Sequence, residues 1–228
     1  MAGTGALPAL PPFTGPALPE GVSALGLEPG RDGLVRCPPG GGIPVPLILL
    51  LHGAGGTAEQ GLALAVRRPE AAGAVLLAPR PRAATWDVIA GGWAPDVQFI
   101  GRAMAHVAAR VRIDPARIVV GGFSDGASYA LSLGLANGRL LHAILAFSPG
   151  YAAPPRIKGR PEIYVSHGTD DRVLPIGRCS RRLVPLLRAA GYDVRYREFP
   201  GGHVVPPENA SEALTWALRP AEAQVSAQ

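Results

Sequence analysis

Cysteine and lysine are scarce in this chain, and each scarcity closes off a class of protein. Cys37 and Cys179 are the only cysteines, and two thiols furnish neither a disulfide framework nor a cysteine-rich metal site. Two free thiols in a reducing compartment are the expectation. Lys158 is the only lysine, so the net charge of +5 rests almost wholly on arginine. The arginines gather at Arg67 and Arg68, at Arg80 and Arg82, and at Arg178, Arg181, Arg182 and Arg188. No aromatic-rich platform or helix-turn-helix pattern accompanies them, so solvated helix faces are expected and a nucleic-acid partner is not. No apolar run approaches the roughly 18–20 residues of a membrane span. The Pro/Ala/Gly-rich stretch Ala2–Glu20 lacks the basic start and continuous apolar core of a secretory leader. A cytoplasmic protein is therefore expected. Neither G-x-x-x-x-G-K-[ST] nor G-x-G-x-x-G occurs, which argues against nucleotide binding.

What is present is alternation. Val45–Leu51, Ala74–Ala78, Arg117–Val120, Leu141–Phe147, Glu162–Ser166 and Val194–Phe199 are short apolar runs that show no polar face, as expected of strands buried on both sides. Between them lie helical stretches at Ala58–Arg67, Asp96–Val111, Ala127–Ala136, Pro175–Ala190 and Pro207–Leu218. Val22–Leu27 and Leu34–Cys37 read as two further strands around a turn. This pattern predicts an α/β fold with a mainly parallel sheet and helices on both faces. With 228 residues and no repeat or internal linker, the expected layout is a Pro/Ala-rich arm over residues 1–20, one domain over 21–220 and a tail over 221–228.

The strand Arg117–Val120 runs into Gly121-Gly122-Phe123-Ser124-Asp125-Gly126, and a helix follows. Glycines flank a serine in G-x-S-x-G because the strand-to-helix turn leaves no room for a Cβ on either side. A glycine-rich chain produces this motif by chance about one time in six, so its partners carry the argument. A serine hydroxyl needs a general base and a group that orients the base, on loops at the carboxyl ends of strands. Of five histidines, His106 lies inside a helix and His142 opens a strand. His52 and His167 precede glycines at strand ends, where imidazole usually bonds to backbone. His203 sits in the loop Pro200-Gly201-Gly202-His203, after the last strand, and is the expected base. The acid should come from Asp170 or Asp171, on the loop after Glu162–Ser166. The tetrahedral intermediate needs two donors, one being the N–H of Asp125 and the other from the turn His52-Gly53-Ala54-Gly55-Gly56.

Together, Leu51-His52-Gly53-Ala54-Gly55, Gly122-Phe123-Ser124-Asp125-Gly126, His167-Gly168-Thr169-Asp170-Asp171-Arg172-Val173-Leu174-Pro175 and Gly202-His203 resemble the α/β-hydrolase superfamily. Within it they resemble the phospholipase/carboxylesterase group of small serine esterases, which includes acyl-protein thioesterases. The resemblance runs from about Val45 to Leu218. It implies an α/β-hydrolase fold, Asp171 as the triad acid beside Ser124 and His203, and Ala54 N–H as the second oxyanion donor. The group usually carries Gln after the serine, where this chain has Asp125.

The expected reaction is hydrolysis of short- to medium-chain carboxylic esters through an acyl-enzyme on Ser124. Thioesters, lysophospholipids and polyesters are alternatives on the same triad. A peptidase and a non-catalytic binding protein of this fold are less favoured. Only Ser148–Pro161 separates Phe147 from the next strand, too short for a helical lid and stiffened by four prolines (Pro149, Pro154, Pro155 and Pro161). Trp86, Trp93, Val173 and Leu174 are candidates to wall the acyl pocket, with core packing as the alternative for each. The expected partner is a small-molecule ester, with no cofactor and no metal. The sequence leaves monomer and homodimer open.

Overall fold

The computed structural model describes residues 4–40, 42–88 and 92–219. Its centre is an eight-stranded sheet. The strands are β1 (Gly21–Ala24), β2 (Gly33–Cys37), β3 (Val45–Leu51), β4 (Val75–Pro79), β5 (Ile113–Phe123), β6 (Ala143–Phe147), β7 (Glu162–Gly168) and β8 (Val194–Phe199). They lie in the order β1-β2-β4-β3-β5-β6-β7-β8. β1 pairs antiparallel with β2, and β2 antiparallel with β4. From β4 to β8 every pairing is parallel. The helices are α1 (Ala58–Ala63), α2 (Pro95–Ala108), α3 (Asp125–Ala136), α4 (Ser180–Ala189) and α5 (Pro207–Ala217).

The apolar strands divide their side chains between two cores. Leu47, Leu49 and Leu51 of β3 pack with α2 and α3 residues such as Ile100, Met104, Tyr129 and Leu133, and α4 supplies Val184 and Leu187 to the same cluster. Ile48 and Leu50, on the other face of β3, pack with Ala58 and Leu62 of α1 and with Ala210, Ala213 and Leu214 of α5. The period of two characteristic of strands is thus present along a run whose every member is apolar. Full burial of each Leu or Ile contributes about 1.5–3 kcal/mol, so this strand anchors both layers.

Several boundaries differ from the sequence reading. The stretch Ala58–Arg67 is helical only to Ala63, with a short 3₁₀ turn at Pro69–Ala71. Pro175–Ala190 opens with turns, and α4 begins at Ser180. β5 begins at Ile113, ahead of Pro115, because the pairing with β3 slips between Val45 and Leu47 and absorbs the interruption. The arm is ordered from residue 4: Gly5 and Leu7 bracket Asn137 through hydrogen bonds of 2.7 and 2.8 Å, and Leu7, Leu10 and Leu18 cover the α2–α3 face. The tail 221–228 lies outside the described residues. Both cysteines are free and buried. Among the described residues no helix is long and apolar enough to cross a membrane.

The segment between β6 and β7 forms no helix. It is fastened to α3 by Gly150 N–H to Ser128 Oγ, Ala153 N–H to Ser132 Oγ and Lys158 N–H to the Leu135 carbonyl, each at 2.9 Å. A segment bonded along its length to a buried helix is a fixed wall of the site.

Candidate active site

The parallel strands deliver their following loops to one edge of the sheet, where the turns after β3, β5, β7 and β8 bring Ala54, Ser124, Asp171 and His203. At the end of β5 the chain turns through Ser124 with φ 59° and ψ −121° and enters α3 at Asp125. A serine in this region is strained by roughly 1–3 kcal/mol, and close packing on both sides holds it there. A Cβ on Gly122 would overlap the Gly126 carbonyl, and one on Gly126 would overlap the carbonyls of Leu51 and His52. The bare glycines let α3 begin against the end of β3.

His203 brings Nε2 to 2.9 Å from Ser124 Oγ, and its Nδ1 lies 2.6 Å from Asp171 Oδ2. His203 is set in place from two sides. The ring of Phe123 lies 4.6 Å from the imidazole, centroid to centroid. The glycine turn before His203 is bound to the acid loop by Asp170 N–H to the Gly201 carbonyl at 2.9 Å. Gly168 again admits no Cβ, because the carbonyls of Gly201 and Gly202 lie against it.

Two adjacent aspartates compete for the acid position, and burial separates them. Asp170 is exposed, whereas Asp171 is 5% exposed. The Asp171 Oδ1 accepts the N–H groups of Val173 and Leu174 at 2.9 and 2.8 Å. Burial pushes its carboxyl upward, but the His203 hydrogen bond and these two amides outweigh burial and hold it below the ordinary carboxylate range. Asp171 is therefore ionised at neutral pH beside the imidazole of His203.

The oxyanion turn lies directly against the elbow, since a Cβ built on Gly53 would come within 3.3 Å of the Ser124 Cβ. Ala54 N–H and Asp125 N–H have no acceptor within the chain among the described residues. Gly55 and Gly56 N–H are instead satisfied by the carbonyls of Ala84 and Gly53 at 3.2 and 3.0 Å. A tetrahedral oxyanion requires two backbone donors, and both of these amides are unspent.

The four candidate pocket residues part company. Trp86 is a core residue: it is fully buried, its Nε1–H donates to the His52 carbonyl at 2.9 Å, and it stacks on Tyr129. Trp93 is partly buried and also stacks on Tyr129, with ring centroids 5.6 Å apart. Val173 is 66% exposed, and Leu174 is half-buried beside Gly150. A cleft the sequence reading missed, of about 300 Å³, opens beside the oxyanion turn and is lined by His52, Ala54, Gln60, Leu64 and Phe123. Its signal was the amphipathic stretch after the glycine turn, where Gln60 and Leu64 point back to the site. A larger cavity of about 430 Å³, lined by Phe13, Leu18, Cys37 and Arg112, lies at the opposite edge of the sheet and holds none of the candidate residues.

The histidines set aside in the sequence reading have other partners. His52 Nδ1 is 2.7 Å from the Gly53 carbonyl. His167 is wholly buried between Ser180 Oγ and the Leu174 carbonyl, each at 2.7 Å. Burial lowers the pKa of both rings, so both are neutral at neutral pH.

A nucleophile elbow on the central strand of a mainly parallel sheet, with helices on both faces, defines the α/β-hydrolase fold. The phospholipase/carboxylesterase family model matches residues 97–216. The chain belongs to that family. Acyl-protein thioesterase 1 of Gibberella zeae is 33% identical over 110 residues, a stretch covering 44% of this chain and 46% of that protein. The match thus spans less than half the length of this curated relative. Among solved structures, esterase PE8 superposes with a TM-score of 0.62 at 26% identity, covering 81% of this chain and 96% of its own. The Bacillus cereus carboxylesterase superposes with a TM-score of 0.60 at 23% identity, covering 80% and 91%. The family match begins at residue 97, after the turn that holds Ala54.

Proposed function

We propose that this protein is a serine hydrolase that cleaves short- to medium-chain carboxylic esters through an acyl-enzyme on Ser124. The observation that carries this reading is the unbroken line Ser124 Oγ, His203, Asp171, with contacts of 2.9 and 2.6 Å. Ser124 Oγ attacks the ester carbonyl carbon as His203 Nε2 takes its proton. The carbonyl oxygen becomes an oxyanion and accepts Ala54 N–H and Asp125 N–H. As the intermediate collapses, His203 passes that proton to the departing alcohol oxygen and the acyl group remains on Ser124. Water then attacks the acyl carbon, giving its proton to His203, and the second collapse releases the carboxylic acid and returns the proton to Ser124.

Asp171 keeps Nδ1 of His203 protonated and stabilises the imidazolium formed in each half-reaction. The fixed segment 148–161 supports a site without a moving lid, hence rates that follow monomeric ester with no jump above its aggregation point. The 33% identity to an acyl-protein thioesterase over 110 residues favours a second substrate class, thioesters. They react through the same steps, with a thiol as the leaving group.

The experiment is labelling with a fluorophosphonate probe alongside turnover of p-nitrophenyl butyrate and a matched butyryl thioester. Labelling and turnover should both vanish in Ser124→Ala while the folded state survives. Wild-type turnover in that variant would overturn the reading.

A further inference from the structure

The oxyanion hole uses only the backbone of Asp125, which leaves a carboxylate beside the nucleophile with no part in the steps above. Its surroundings give it one. Asp125 Oδ2 accepts a hydrogen bond from Thr85 Oγ1 at 2.8 Å. Thr85 belongs to the loop after β4, which also holds the oxyanion turn through the Ala84 carbonyl to Gly55 N–H and Trp86 Nε1–H to the His52 carbonyl. Across the site, Tyr151 stands on the fixed segment after β6; burial first, and then the nearby Asp125 charge, push its phenol pKa up. Asp125, Thr85 and Tyr151 are all partly open to solvent.

Among the described residues no cationic side chain forms an ion pair with Asp125. Arg31 and Arg80 line a small cleft of about 170 Å³ at Gly55 and Gly56. Their guanidinium groups are engaged by the carbonyls of Pro81 and Gly30 at 3.2 and 3.3 Å. What tolerates the charge is the first turn of α3, whose N-terminal dipole favours an anion, together with the Thr85 hydroxyl. Neither neutralises it.

We propose that the Asp125 carboxylate, held by Thr85 between the β4 and β6 loops, is a charge filter that disfavours esters bearing an anionic group near the scissile bond and favours neutral and cationic ones. The proposal rests on Ser124 being the nucleophile. Repulsion acts on the anionic group of such a substrate as it binds and persists in the transition state, so it lowers kcat/KM relative to a neutral ester. A cationic substituent finds an unpaired counter-charge at the same place.

The test compares three p-nitrophenyl esters of similar acyl length: butyrate, the hemisuccinate anion and a 4-trimethylammoniobutyrate cation. Ratios of kcat/KM are taken within each enzyme, so any common loss of rate cancels. In Asp125→Asn the anion-to-neutral ratio should rise about tenfold, the order produced by removing one unit charge several ångströms away at a partly solvated site. The cation-to-neutral ratio should fall. Thr85→Val keeps the charge and should keep both ratios within about threefold, while in wild type 0.5 M NaCl should narrow the spread, as screening requires. If Asp125→Asn does not fold, Asp125→Gln and the wild-type salt response decide the question. Unchanged ratios in a variant that still turns over butyrate, or a salt-independent spread, would overturn the filter and leave the esterase intact. Absence of turnover and of probe labelling in wild type would overturn both.

Discussion

Asp171 Oδ2 lies 3.2 Å from Nε2 of His167, four residues earlier at the end of β7. The same oxygen meets Nδ1 of His203 at 2.6 Å. His167 Nε2 donates to the Leu174 carbonyl, so its Nδ1 is the acceptor for the Ser180 hydroxyl. A buried neutral imidazole, its tautomer set by the Leu174 carbonyl and its ring held by Ser180, thus helps to fix Asp171 without adding a charge that competes with the His203 imidazolium. Ser180→Ala should lower kcat by about three- to tenfold with KM unchanged, and His167→Asn should lower it further; steady-state kinetics on p-nitrophenyl butyrate measure both. A packing role alone would reduce thermal stability and leave kcat per folded molecule untouched.

The two aspartates of the acid loop make a controlled pair, adjacent in sequence and opposite in exposure. Asp171→Asn removes the charge that stabilises the imidazolium and allows the wrong histidine tautomer, so kcat should fall by about 10³–10⁴-fold. Asp170→Asn, exposed and bonded at 3.4 Å to its own neighbour Thr169, should stay within about threefold. Side-by-side turnover of the two variants checks the assignment, and equal losses would refute it.

The cleft of about 300 Å³ at Phe123 and Leu64 offers room for an acyl chain of limited length. Ester series of rising acyl length should therefore peak at short to medium chains. Leu64→Ala should move the optimum two or more carbons longer, and Leu64→Trp should shorten it. A length profile unmoved by either variant would place the acyl chain elsewhere.

The sheet was legible because its strands are apolar throughout, and the alternation of β and α leaves few ways to stack them. The turns at residues 53–56 and 122–126 and at Gly168 stood out as local strings, because Gly122, Gly126 and Gly168 are forced by close backbone approach and Gly55 by its positive φ. What escaped the sequence were contacts between distant residues. Whether Trp86 lines a cavity or a core depends on His52 and Tyr129, far away along the chain. The hold of Thr85 on Asp125 likewise spans 40 positions. Pro115 reads as a strand breaker, yet β5 passes through it because a register slip against β3 accommodates the missing donor.

Gly126 offers the sharpest test of the elbow's packing. A methyl group there would enter the carbonyls of Leu51 and His52, which are backbone atoms at the end of β3 and just beyond it and cannot step aside. Gly126→Ala should cost more than about 3 kcal/mol, in the range of severe overpacking, and yield little soluble protein. Gly177, where a Cβ meets nothing within 4 Å, serves as the control: Gly177→Ala should fold normally. Thermal melts of the two decide whether space, and not glycine content, is what the elbow demands.

A second buried acid pair lies away from the triad. Asp87 and Asp96 are 8% and 2% exposed, and each accepts the other's backbone N–H, at 3.0 Å on Asp87 and 2.7 Å on Asp96. Burial raises both carboxyl pKa values, and for Asp87 the Asp96 charge raises it further. A folded-state pKa above the unfolded value near 3.9 means full stability below that pH, and a loss as pH rises through the folded pKa. Asp87→Asn keeps an acceptor for the Asp96 amide and removes one of the two charges. Its melting temperature should exceed that of wild type by about 2–4 °C at pH 8, the shift expected for roughly 1 kcal/mol in a chain of this size. The advantage should close as the pH approaches 4, where wild-type carboxyls take up their protons. A variant equally destabilised at both pH values would show that the carboxylate form itself, through its hydrogen bonds, is what the loop between β4 and α2 requires.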